Sequence, residues 1–331
     1  MTANAYAGGA PVVEVLRSGF VESRHHGSVA ILDSDAQLVG GIGDPYGPVF
    51  PRSANKPMQA VAMLRAGLDV DDADLAVVAA SHSAEPSHVE RVRAMLVRAG
   101  LDESALACPP DLPLSAAARA EILRQGGGPT RILMNCSGKH AGMLLTCLAA
   151  GWSTVEYVDP GHPLQVACRG VVQELAGEPV TSVGIDGCGA PVFALSLAGL
   201  ARAFLACVQP HAGTEPRRVA DAMRAHPELM SGTGREDAAL MHAVPGLLAK
   251  GGAEGVMAVA VPGVGAVAVK IDDGADRARL PVLVAALRHL GVASAALDRL
   301  ASVPVLGGGH VVGEIRTAGT LPRDLGLMRV S

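Results

Sequence analysis

Lysine is nearly missing from this chain: of 27 basic residues only four are lysines, Lys56, Lys139, Lys250 and Lys270. A guanidinium does not give up its proton in a protein, whereas a desolvated amine does, so the few lysines mark places where a neutral amine has a use. Aromatic residues are also scarce, at 2%, and the formal charge is −5. That combination lacks both the basic footprint and the stacking rings of a nucleic-acid binder, and no nucleic-acid partner is expected. The most apolar stretch, 255–269, is interrupted by Pro262 and Gly263, which excludes a membrane span. The start, MTANAYAGGAP, has neither the basic nor the apolar region of a signal peptide, so a cytoplasmic location is expected. Six cysteines without framework spacing read, in that compartment, as thiols or metal ligands rather than disulfides.

What is present is ample: 331 residues with 49% hydrophobic content can build a substantial core. Runs at 12–16, 27–32 and 37–41 read as strands, with Asp33, Ser34 and Asp35 turning between the last two. Helical spacing runs over 56–66, where Pro57 suits a first turn, and again over 87–99, 115–125, 138–150, 163–175, 216–225 and 280–290. The Val/Ala runs 256–261 and 266–271 flank Pro262-Gly263-Val264-Gly265 and predict a hairpin. No repeat or long linker divides the chain. The expectation is an α+β fold forming one catalytic unit over 1–331. Its antiparallel sheet comes from both chain ends, about 12–50 and 250–320, around a helical middle of about 56–250, with 1–11 flexible.

Three groups carry chemistry. Ser53-Ala54-Asn55-Lys56 is an S-x-x-K motif at a helix start, and residues three apart share a helical face, so the amine can take the serine's proton. Lys250-Gly251-Gly252, at the mouth of the predicted hairpin, follows it in the order in which serine β-lactamases, penicillin-binding proteins and serine glutaminases pair S-x-x-K with K-[TS]-G. Cys136, with Lys139 and His140 close behind, and Cys188, in Asp186-Gly187-Cys188-Gly189, sit on glycine-flanked turns. They suggest a zinc site of both thiols with either Lys139 or His140. Cys108, Cys147, Cys168 and Cys207 lie in apolar surroundings and read as packed thiols.

The chain resembles the L-asparaginase II family, the serine-lysine asparaginases, over nearly its whole length. The resemblance rests on Arg52 to Pro57, Ser81 to Pro86, Asn135 to Gly142, Asp186 to Pro191, His226-Pro227-Glu228, Gly232 to Arg235 and Lys250 to Gly255. It implies a serine β-lactamase and glutaminase-like fold, asparagine as substrate, a homodimer, and two Ser-Lys pairs, Ser53 with Lys56 and Ser81 with Lys250. It further implies a zinc ion on Cys136, Lys139 and Cys188. Arg52, Glu85, His140, Asp186 and Arg235 are the candidates for holding the substrate, and Ser53 is the expected nucleophile, attacking the side-chain amide to leave aspartate and ammonia. The chain departs from the family at Glu236, where an aromatic residue is usual, and at the glycines before Val311, where asparagine is expected. Both departures bear on substrate affinity more than on reaction class.

Other readings stay open: a glutaminase, a metal-dependent amidohydrolase in which zinc activates water, and a non-catalytic amino-acid-binding protein. Lys270, beside Asp272 and Asp273, is the rival to Lys250, but acidic neighbours suit a charged lysine rather than a base. If the amines of Lys56 and Lys250 move protons, Lys56→Arg and Lys250→Arg each lower the rate of ammonia release by roughly 10²–10⁴-fold. A silent Lys250→Arg beside an inactive Lys270→Arg reverses the choice between those two.

Overall fold

The computed structural model describes residues 5–318. Residues 1–4 of the expected flexible start, and 319 and 320 of the expected sheet, lie outside the described residues. Strands β1 (Ala10–Arg17), β2 (Phe20–Asp33) and β3 (Leu38–Ile42) open the chain as a meander. The turn into β3 is tied by Asp33, whose carboxylate accepts from the N–H groups of Asp35 and Gln37, each at 2.9 Å. Then come β4 (Pro48–Val49), β5 (Ser182–Ile185) and β6 (Pro191–Ser196), which form a small second sheet. Near the far end of the chain lie β7 (Leu248–Gly252), β8 (Val256–Val261), β9 (Gly265–Ile271), β10 (Val303–Gly307) and β11 (His310–Thr317).

The main sheet runs β10-β11-β1-β2-β9-β8-β7, with β3 also on β2, and each of its pairings is antiparallel. Both chain ends therefore build it, in the α+β arrangement expected. Register is set by buried aliphatic pairs such as Val29 against Val269 and Ile31 against Val267.

Twelve helices are described: α1 (Lys56–Arg65), α2 (Asp72–Val78), α3 (Pro86–Arg98), α4 (Ala116–Arg124), α5 (Ser137–Ala149), α6 (Pro163–Ala176), α7 (Leu197–Val208), α8 (Thr214–Ala225), α9 (Pro227–Met230), α10 (Glu236–Ala243), α11 (Arg279–His289) and α12 (Ala295–Ala301). Every residue of β8, and all of β9 but Lys270, is buried, so both faces of these strands are covered. The helices that pack on them are α7 and α11. Among the described residues no helix is long and apolar enough to cross a membrane.

Two close approaches bring α5 against α2. A Cβ added at Gly138 would meet Val77 O at 2.5 Å, and one at Gly142 would meet the Val78 side chain at 2.7 Å, so the two helices lie at a distance only glycine allows. The segment leaving α2, 79–85, is pinned to the start of α5 by His82. Its Nδ1 accepts from Ala84 N at 3.2 Å, which places the proton on Nε2; that nitrogen donates to Ser137 Oγ at 2.9 Å, and Ser137 donates on to Ile132 O at 2.8 Å. His88 stacks on His82 with ring centroids 5.2 Å apart, and its own Nδ1 accepts from Glu85 N.

Burial lowers the pKa of both imidazoles, most strongly for His82, where the His88 and Lys56 charges add to it. Both are neutral in the fold, whereas in the unfolded chain they titrate near about 6.5. Below that pH the unfolded state binds the extra protons, so this stability is complete above about pH 7 and is lost as pH falls. The chemical-denaturation midpoint is expected to drop from about pH 7.5 to about pH 5, with each histidine contributing up to about 1.4 kcal/mol per pH unit. A midpoint unchanged across that range rules the account out.

Candidate active site

Four polar elements converge between the main sheet and the helices. The turn before α1 (Arg52–Asn55) carries Ser53, and the first residue of α1 is Lys56. The segment after α2 carries Ser81, β7 carries Lys250, and the first turn of α10 brings Arg235 and Asp237. Gly252 permits this convergence: a Cβ there would lie 2.3 Å from Pro51 O, so any larger residue would push β7 off the turn that holds Ser53. Arg52 itself adopts φ 53°, a left-handed conformation uncommon for a side-chain-bearing residue, directly ahead of Ser53.

A cavity of about 280 Å³ opens onto Ser53 and Ser81, with Asn135, Arg235, Asp237 and Arg279 in its walls and Leu114 at its edge. The Ser53 hydroxyl has no hydrogen-bond partner among the described residues. Ser81 is met by Lys56, whose Nζ donates to Ser81 Oγ at 2.9 Å, Ala80 O at 2.6 Å and Cys136 Sγ at 3.0 Å. Lys250 Nζ instead donates to Gly251 O at 2.8 Å. The pairing therefore differs from the expected one, because Lys56 reaches 25 positions along the chain to Ser81 while Lys250 turns to a carboxylate. That carboxylate is Asp237, 3.8 Å away, buried and also accepting from Gly251 N–H. Burial pushes the Lys250 amine down to about 8, with Asp237 opposing and Lys56 and Arg235 reinforcing the shift. Lys270 sits apart from the cavity, bonded to the carbonyls of Glu254 and Ile271. Burial holds its pKa below the ordinary lysine value, with Glu254, Asp272 and Asp273 opposing that shift.

The candidate substrate residues divide. Arg235 walls the cavity, and its guanidinium has no hydrogen bond or ion pair among the described residues. Arg52 and Asp186 pair with each other, Nε to Oδ1 at 2.7 Å. Glu85 accepts from Thr233 N and Oγ1 and faces a neighbouring groove of about 630 Å³ beside α3 and α4, which holds none of the four serines and lysines expected to act. His140 is buried, its Nδ1 2.7 Å from Tyr157 Oη. Asp237 and Arg279 escaped the sequence reading. Neither lies in a motif, and the one available hint was that a buried lysine needs a nearby opposite charge.

Cys136, Lys139 and Cys188 come together next to Lys56. Lys139 Nζ donates to Cys188 Sγ at 3.1 Å. Cys136 Sγ donates to Asn135 Oδ1 at 3.1 Å, and the closeness of the two sulfurs holds the Cys136 thiol up and the Cys188 thiol down. Burial acts against the Lys139 charge, but the two sulfurs outweigh it and raise its pKa. Two sulfurs and an amine gather here, a donor set that fits a divalent ion only with Lys139 ligating as the neutral amine. Among the described residues no group of three His, Cys, Asp or Glu side chains suits a metal, so any ion here depends on the lysine. The remaining four cysteines are free and buried, and burial pushes their thiols up to about 11 or 12.

Among curated proteins none matches this chain. Two solved structures of Mglu are similar to it. The native form is 15% identical with a TM-score of 0.44, covering 79% of this chain and 62% of that one. The tris and glutamate form is 16% identical with a TM-score of 0.34, over 77% and 57%. This chain thus spans less than two thirds of those chains. The family model for L-asparaginase II matches residues 13–317, from the middle of β1 to the last residue of β11, and the chain belongs to the L-asparaginase II family.

Proposed function

We infer that this protein hydrolyses the side-chain amide of L-asparagine to aspartate and ammonia through an acyl-enzyme on Ser53. The observation that carries the reading is the Lys56–Ser81 hydrogen bond of 2.9 Å beneath a cavity that also receives the unpaired Ser53 hydroxyl. Ser53 lies one turn ahead of Lys56, and in this reading the amine, bonded to Ser81 in the resting site, takes the Ser53 proton once substrate is bound. Ser53 Oγ attacks the amide carbon as its proton passes through Lys56 and Ser81 to the leaving nitrogen. Ammonia departs, and water entering by the reverse relay releases the acid. The Ser53 N–H, at the entry to the turn, is the natural donor to the developing oxyanion. Lys250, with a pKa pulled to about 8 and Asp237 beside it, keeps a second titratable amine next to the relay.

Zinc belongs to this reading, held by Cys136, Lys139 and Cys188; when bound it supplies a fixed positive charge that orients substrate. Lys139 then has to ligate as the neutral amine, giving up the proton it holds against Cys188. A homodimer working in the cytoplasm completes the proposal.

Ser53→Ala is expected to abolish ammonia release and to remove the acyl adduct that intact-mass measurement finds when wild-type protein is quenched during turnover. Persistence of a serine-linked adduct in that variant moves the nucleophile to Ser81, and turnover without any adduct favours metal-activated water. Assaying asparagine and glutamine in parallel decides the amide preference.

Chelation gives a second expectation: KM rises while kcat is largely kept, as when binding common to ground and transition states is lost. A collapse of kcat at constant KM places the metal in the chemistry.

A further inference from the structure

Among the described residues, every carboxylate in the wall of the 280 Å³ cavity already has a cation or hydrogen-bond donor, while one cation there has no bonded partner. Asp237 accepts from Gly251 N–H and faces Lys250 at 3.8 Å. Asp276 lies 3.3 Å from Arg279, which also donates to Glu236 at 2.8 Å, to Gly252 O at 3.0 Å and to Val256 O at 3.2 Å. Beyond the cavity wall, Asp186 is taken by Arg52, and Glu85 belongs to the neighbouring groove. Of the cations lining the cavity, Arg235 alone presents a guanidinium with no bonded partner among the described residues; Asp237 and Lys250 act on it only through space.

A guanidinium offers a planar pair of donors that matches a carboxylate. An ammonium entering the same cavity finds no comparable group. The most available anion is Asp276, whose side chain is 65% exposed and already paired, and charges so screened by water contribute little. The cavity is thus built to recognise one end of an α-amino acid and is indifferent to the other.

We propose that Arg235 anchors the substrate by a single carboxylate and that the α-amine is dispensable, so that the protein also hydrolyses ω-amide monoacids lacking an amino group, with succinamic acid as the simplest. This rests on the amidohydrolase reading above. The chemistry is unchanged: the Ser53 Oγ–carbon bond forms, the carbon–nitrogen bond breaks, the serine proton leaves with ammonia, and water then cleaves the ester to give succinate and restore the serine.

The test compares L-asparagine, succinamic acid and L-asparaginamide, which keeps the amine and loses the carboxylate, by ammonia release and by calorimetric binding. Succinamic acid is expected within about tenfold of asparagine in kcat/KM, and asparaginamide about 10- to 100-fold worse, the size of one hydrogen-bonded charge. Arg235→Gln removes the charge at a side chain with no bonded partner in the fold, so its thermal unfolding should match wild type while KM for asparagine rises and the carboxylate preference vanishes; Arg235→Lys should restore part of it. If asparagine is hydrolysed but succinamic acid is neither hydrolysed nor bound, the proposal is wrong and the asparaginase reading stands. If no amide is hydrolysed yet succinamic acid binds and asparaginamide does not, the proposed carboxylate anchor holds and the asparaginase reading fails. If no compound binds, both fail.

Discussion

Three of the four lysines in this chain are buried to within 2% of complete exclusion from solvent, and nearly everything else in the site answers to that constraint. A buried ammonium is tolerated only when opposite charge or acceptors surround it. Lys56 has two oxygens and a sulfur within 3.0 Å. Lys139 has the Cys188 sulfur, and Lys250 has Asp237. In the proposed reaction these partners are also the neighbour of the attacking serine, a sulfur for the proposed metal and the clamp on β7. Satisfying the lysines and assembling the site are one structural problem.

The backbone solves that problem with very short distances. Gly138 and Gly142 bring α5 against α2, which sets Cys136 and Lys139 beside the segment carrying Ser81. Gly252 does the same between β7 and the turn of Ser53. His82 then locks the Ser81 segment to α5 through a chain of hydrogen bonds that works only with a neutral ring. A site of this kind has little tolerance for added volume, because its spacing comes from main chain meeting main chain rather than from side chains that can adjust.

Much of this was legible from the residues alone. Apolar patterns located β1 to β3 and seven of the helices, and two Val/Ala runs around a Pro-Gly turn located the β8–β9 hairpin. Helix α7 escaped; it is apolar nearly all round and buried along most of its length, so no polar face marks it off from a buried strand. Motif spacing singled out Ser53, Lys56, Lys250, Cys136 and Cys188, while Ser81 and its pairing with Lys250 came from the family resemblance; the structure instead bonds Lys56 to Ser81. Spacing along a helix fixes neighbours three residues apart; whether Lys56 also meets Ser81 is decided by how α1 packs on the end of α2, which no local pattern encodes. Asp237 and Arg279 were missed for the same reason. Glu236, which stood out as a departure from the family, proves to be one of the two carboxylates that hold Arg279.

The strand order has a consequence for how the protein comes into being. The β1–β2 pair is made first, yet its two outer partners, β11 and β9, are separated from it by most of the chain. During synthesis that hairpin must wait with both edges open to these late strands while some 200 residues emerge from the ribosome before β9 is available, and β11 comes later still. Helices α1 to α8 can form locally in the meantime, but the cavity cannot, because Lys250 arrives on β7 with the returning part of the sheet. Strand order therefore makes the sheet the last part of the fold to close, with aliphatic strand edges open to other chains until β9 and β11 arrive.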